Sequence, residues 1–353
     1  MNTISSCSLG FALAGALALT VALPAHAVSI VTVTVGDPGN LNDPAFGSRY
    51  GGVSYNYAIG KYEVTLNQYT EFLNAVAATD TYGLYNVSMG MDLNIKGITR
   101  SGSPGSYTYA VNGDGNRPVT YVSWFDAARF TNWLHNGQPT GLQTAATTED
   151  GAYTLNGAVS GIIRKNAGAQ DWIPSENEWY KAAYYQPAAA GGDADGYWLY
   201  PTRSNAIPNS RNGSVSDPNS GNFYREDGIP NGYNGGYAVT NANTSTSTQN
   251  YLTPVGAFTL APSYYGTFDQ GGNVREWDDG IYENGATPTR LLRGGAWLLG
   301  TTEMRASDGY STFPTEEYSF AGFRIATAPS APEPSAALLL LAGAGVLLRR
   351  RRG

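Results

Sequence analysis

The residues best placed to do chemistry lie in Tyr265-Gly-Thr-Phe-Asp-Gln-Gly-Gly-Asn-Val-Arg-Glu-Trp277. Gly271 and Gly272 supply positive φ without steric cost, so the backbone can fold back and aim carbonyls inward. Asp269 and Glu276 then bring a carboxylate to each side of the turn. Carboxylates joined by inward carbonyls are the oxygen-only donor set of a hard cation such as Ca²⁺. The same residues also suit a plain tight turn whose acids form salt bridges, for instance to Arg293 in Arg293-Gly-Gly-Ala-Trp297.

Other titratable groups carry less. The acids Glu63, Asp126, Glu176, Glu178, Asp278 and Asp279 are candidates for acid–base work, yet nothing in the sequence brings two of them to one cleft. Glu63, Asp126, Glu176 and Glu178 sit at or near expected helix starts, where capping and the helix dipole account for them. His135 falls in the last turn of an expected helix, where a cationic partner for the dipole is the simpler reading.

The elements that must position these groups are legible by period and cap. Val31–Val35 alternates strictly, as an edge strand with one buried face does. Asn56–Tyr62 reads as a strand entering a helix capped by Thr65, with Gln68 completing a capping box. Tyr69, Phe72, Leu73 and Val76 then share one face. A second helix starts after Ser123 with Asp126 in its first turn and stops before Gly137. A third starts at Ser175, paired with Glu178, and turns Trp179, Ala182 and Ala183 inward. Residues 80–117 read as loops and short strands, and 138–171 as a hairpin insertion. Residues 186–250 form a long polar stretch whose Tyr197, Trp198, Tyr200, Phe223 and Tyr224 imply order; within it, 240–250 reads as a flexible connector or an insertion. No internal repeat is present.

The two ends address the chain. Residues 1–27 hold an apolar run, Leu9–Leu23, closed by Ala25-His-Ala27, the pattern of a cleaved secretory leader. The single cysteine, Cys7, lies inside it. The mature chain is thus expected to have no thiol and no disulfide. At the other end Pro332-Glu-Pro334 precedes the apolar run Ala336–Leu348 and Arg349–Arg352, which a simple tail anchor would also explain. The net charge is −7, and loss of the arginine tail makes it more negative, which argues against nucleic acid and anionic lipid.

That C-terminal arrangement resembles the PEP-CTERM sorting signal. The resemblance implies an exosortase-type machinery as partner, transient inner-membrane association through 336–348, and delivery to the surface or exopolysaccharide layer of a Gram-negative bacterium. The central part resembles the formylglycine-generating-enzyme, or sulfatase-modifying-factor, family. The matching blocks are Gly60–Thr65, Pro118–Trp124, Ile173–Trp179, Pro254–Phe258, Gly272–Trp277, Arg293–Trp297 and Gly322–Arg324. The implied organisation is a leader at 1–27, a strand and linker at 28–49, the family domain at 50–327 and the sorting signal at 328–353.

This resemblance implies an α+β, C-type-lectin-like fold, loop-rich with few regular elements. It also implies a Ca²⁺ site built from Asp269 and Glu276 with the carbonyls of Gly272 and Val274. A second would use Asn222 and the carbonyl of Phe223; its acidic partner is not found before Pro254, where Ser247, Gln249 and Asn250 stand instead. The copper-binding cysteine pair of the family's oxidase falls on Leu299 and Met304. An aliphatic side chain cannot replace a Cu(I)-binding thiolate, so no copper is expected. Three functions follow as expectations. The first is a non-catalytic surface module binding exopolysaccharide or another glycan. The second is an enzyme of another chemistry on the same scaffold. The third, formylglycine generation, needs thiols the mature chain lacks.

Overall fold

A computed structural model describes residues 27–213, 216–283 and 287–329. The expected leader up to His26 and the tail from Ser330 onward lie outside these residues. Among the described residues no helix is long and apolar enough to cross a membrane.

Three helices of 9–12 residues, Leu66–Val76, Trp124–His135 and Glu176–Tyr184, start with the same device. Thr65, Ser123 and Ser175 each accept a bond from the backbone N–H three residues on. Gln68, Asp126 and Glu178 each reach back to the cap's own N–H. Two donors that a helix start leaves unmet are thereby satisfied. Tyr69, Phe72, Leu73 and Val76 are buried, as their spacing requires. The second helix is buried around nearly its whole circumference, from Trp124 to Trp133.

Two four-stranded sheets frame the molecule. In the first, Thr32–Val35 is the edge strand, followed by Tyr57–Gly60, Ala326–Thr327 and Asp171–Trp172, all antiparallel. In the second the order is Tyr310–Thr312, Thr289–Arg293, Arg275–Tyr282 and Ala321–Phe323, with only the last pair parallel. The chain leaves the second sheet at Phe323 and joins the first at Ala326, so Arg324 and Ile325 form the bridge between them. Between the sheets and helices lies an aromatic core. Phe72, Phe130 and Trp133 meet at centroid distances of 5.3–5.8 Å, and Phe323 meets Phe130 edge-on at 5.4 Å. Such tilted and edge-on contacts suit the ring quadrupole.

Two expectations change. Residues 138–171 do not form a hairpin: only Tyr153 and Lys165 bridge, while Ala145–Glu149 makes a wide helical turn. That turn is held by Arg129, whose guanidinium grips Glu149 at 2.7 and 2.9 Å, a long-range pairing that no local pattern announces. Residues 240–250 are also less free than a connector: Asn94 donates to the carbonyl of Thr246, and Asn250 donates to that of Lys96.

Candidate functional site

The stretch from Asp269 to Trp277 is the junction expected, but its turn is built differently. Positive φ falls on Asp269 (60°), Gly272 (109°) and Asn273 (61°), not on both glycines. Asp and Asn tolerate that region because their short polar side chains bond locally. Gly272 is irreplaceable on space as well, since an added Cβ would come within 2.5 Å of the Asn222 carbonyl oxygen.

Asn273 holds the turn to its surroundings. Its N–H donates to the Asn222 carbonyl at 2.7 Å and its carbonyl accepts from Trp297 N–H at 2.9 Å. Its side-chain oxygen accepts from Thr253 N–H and from Asn222, both at 3.1 Å. Its amide nitrogen lies 3.4 Å from a Glu63 oxygen. The sequence reading overlooked this residue, although a Gly-Gly-Asn turn is a place where Asn is favoured.

Glu276 is fully buried, and both its oxygens are engaged within the chain. Arg324 clasps it through Nε to Oε2 at 2.5 Å and Nη2 to Oε1 at 2.6 Å, while Trp179 donates to Oε2 at 2.8 Å. The salt-bridge reading of this acid therefore has the right kind of partner in the wrong place: Arg324 takes Glu276, whereas Arg293 pairs with Glu176. The same guanidinium donates to the carbonyls of Gly60 (2.8 Å) and Phe268 (2.9 Å). One fully buried arginine thus ties the first sheet, the turn and the second sheet together.

Two further carboxyls face this arginine. Glu63 is buried, with one oxygen lacking any partner. Burial, and then the negative charges of Asp269 and Glu276, push its pKa well above the usual carboxylate range. Asp269, half-buried, accepts from Gly256 N–H at 2.5 Å, and desolvation moves its pKa up to about 6. Three acids around one guanidinium leave excess negative charge, which protonation relieves.

This geometry does not fit the implied cation at Asp269 and Glu276. A divalent ion there would have to displace the guanidinium that already saturates Glu276. At the implied second site Asn222 donates to Tyr251 O and Asn273 Oδ1, and the Phe223 carbonyl accepts from Ser210 at 2.5 Å. Among the described residues no group of three or more His, Cys, Asp or Glu could hold a metal ion. Gly272 and Val274, the remaining implied carbonyl donors, lie buried in this same turn. Arg275 is buried at the start of a strand and paired with Asp308 at 2.8 Å.

The other candidate acids are spread over the molecule. Asp126 and Glu178 complete the capping boxes of Ser123 and Ser175, and Asp279 pairs with Arg290 at 2.5 Å. Asp278 is buried with one unpartnered oxygen, and burial, then nearby Glu176, raises its pKa well above the ordinary value. His135 accepts from Gln170 N–H at 3.1 Å through Nδ1, so it fastens a loop to the helix end.

Leu299 precedes the short turn Thr302–Met304, and Met304 ends it. Met304 is buried with Tyr200 and Phe223, and its backbone carbonyl accepts from Tyr184 Oη at 3.1 Å. An added Cβ on Gly295, which has φ 72°, would meet the Met304 side chain at 2.5 Å. Leu299 is half-buried, and its carbonyl accepts from Tyr224 N–H at 2.9 Å. Leu299 and Met304 fill space here; neither offers a nucleophile or a strong ligand. Leu199 and Tyr200, packed against this turn, lead into a polar cleft of ≈ 360 Å³ lined by Trp198, Thr202 and Arg203.

Fold and turn together define the class of protein. Residues 51–329 match the model of the Sulfatase-modifying factor enzyme 1-like domain, and the chain belongs to that family. Among its relatives is a protein of Paenibacillus barcinonensis described as Chaperone protein LppX. The two are 24% identical over 247 residues, covering 68% of this chain and 76% of that one. The solved structure of CarF aligns with TM-score 0.50 and 21% identity over 86% of this chain and 99% of its own. PvdO from Pseudomonas aeruginosa aligns with TM-score 0.41 and 17% identity over 85% of this chain and 92% of its own. The mixed α+β, loop-rich fold expected from sequence is the fold of this family.

Proposed function

We propose that this chain is an exported, non-catalytic member of its family, working as a binding and structural module at the cell surface, with exopolysaccharide as its partner. One observation carries the reading. The two positions where the family resemblance would put a copper-binding thiol pair hold Leu299 and a buried Met304, so neither thiolate is present to bind Cu(I).

Export rests on the apolar run Leu9–Leu23 and the Ala25-His-Ala27 site. Surface sorting rests on Pro332-Glu-Pro334, the 336–348 segment and the arginine end, through an exosortase-type machinery in a Gram-negative envelope. Calcium is not required in this reading, because Arg324 supplies the positive charge at Glu276. The purified chain should be retained on exopolysaccharide from a PEP-CTERM-bearing Gram-negative bacterium, equally with and without EDTA. Absence of retention under both conditions contradicts the binding role, and retention abolished by EDTA restores a metal to the site.

A further inference from the structure

We propose that the cleft at Trp198 and Arg203 is the carbohydrate subsite of this protein, and that it takes an acidic sugar, a uronate unit. This rests on the glycan-binding reading above and assigns it a place. The cleft measures ≈ 360 Å³, within the range of small-ligand sites, roughly 300–1,000 Å³. Its lining is an aromatic ring among polar groups: Trp198, Gln186, Thr202, Arg203, Ser204 and Asn219.

The walls are fixed before any ligand arrives. Trp198 Nε1 donates to Gln186 Oε1 at 3.0 Å, and the Gln186 amide donates to the Ala190 carbonyl at 2.8 Å. Thr202 donates to Asn219 Oδ1 at 2.6 Å, and Asn219 in turn donates to the Ala206 carbonyl at 3.1 Å. The loop carrying Arg203 is closed by a bridge between Tyr200 and Ser204. A half-buried indole so oriented offers a flat apolar surface for the C–H face of a pyranose ring, at little entropic cost.

Arg203 makes the site selective. It is exposed, and it is held at φ 57° within that closed loop. No carboxylate among the described residues lies within ion-pair distance of it. Two acids on neighbouring loops are engaged elsewhere: Asp193 by Asn205 at 2.6 Å, and Asp217 by Asn209 at 2.8 Å. A guanidinium with no carboxylate partner among the described residues presents a planar fork that matches a carboxylate through two parallel hydrogen bonds. The chain as a whole is acidic, so long-range attraction does not bring an anionic polymer here. Preference for a uronate has to arise from this local contact.

The test is calorimetric titration of the purified chain with trigalacturonate and with maltotriose, a neutral trisaccharide. Wild type should bind trigalacturonate about tenfold more tightly, or better, a difference of about 1.4 kcal/mol. Arg203→Gln should erase that preference by weakening trigalacturonate binding about tenfold, to the level of maltotriose. Trp198→Ala should weaken both ligands about tenfold or more, with a thermal melt confirming that the variant is folded. Binding that survives both substitutions overturns the assignment of the cleft while leaving a glycan-binding function standing. Equal affinity for the two sugars in the wild type overturns the uronate selectivity, and no binding to either sugar removes the subsite.

Discussion

At the scale of single residues, the centre of this molecule is a charge problem solved by one guanidinium. Glu276 is paired with Arg324, and Glu63 and Asp269 share that same arginine. Both acids have folded-state pKa values above their unfolded ones, so the native state binds protons more tightly than the unfolded chain. Their contribution is fully present below the unfolded value near 4 and is lost as pH rises through about 6 for Asp269. Asp269→Asn keeps an acceptor for Gly256 N–H and tolerates the φ of 60°. It should therefore raise stability by about 1–2 kcal/mol at pH 8, discounted for the water that Asp269 still meets, and by little at pH 4. Chemical denaturation at the two pH values reads this directly. A variant less stable than wild type at pH 8 would show that Asp269 is ionised and usefully paired.

Elements are joined by the same residue. Arg324 sits where the chain crosses from Ala321–Phe323 to Ala326–Thr327, and it bonds to Gly60, Phe268 and Glu276 at once. Arg324→Met keeps a long apolar stem but strands a buried carboxylate, which costs about 3–5 kcal/mol. Adding Glu276→Gln should recover part of that loss; if the double variant is no more stable than the single one, the pairing is not what Arg324 contributes. The helices that surround this junction were legible because Thr65, Ser123 and Ser175 act over three residues. The partner of Glu276 was not, since it lies 48 residues away, and Asn273 meets Glu63 across 210. Expecting Arg293 followed sequence proximity, whereas parallel pairing of Arg275–Tyr282 with Ala321–Phe323 brings Arg324 instead. Trp198 stood out only as one aromatic in a polar stretch, because its cleft is assembled by loops from 186 to 219.

On the scale of the whole molecule, large arginines replace part of an apolar core. Arg129, Arg290, Arg293 and Arg324 are among the largest fully buried side chains, and each grips a carboxylate: Glu149, Asp279, Glu176 and Glu276. Arg290 also lies 3.8 Å from the ring centre of Trp124. Such bonds supply direction where regular elements are short, and they hold long loops in one arrangement. A scaffold fixed in this way can keep the family fold while the positions at Leu299 and Met304 carry no thiolate. The measurement that bears most directly on this account is incubation of the purified chain with copper, oxygen and a cysteine-containing sulfatase peptide, followed by mass spectrometry. The account predicts that the cysteine remains unconverted. Formation of the peptide aldehyde above a no-protein control would contradict it.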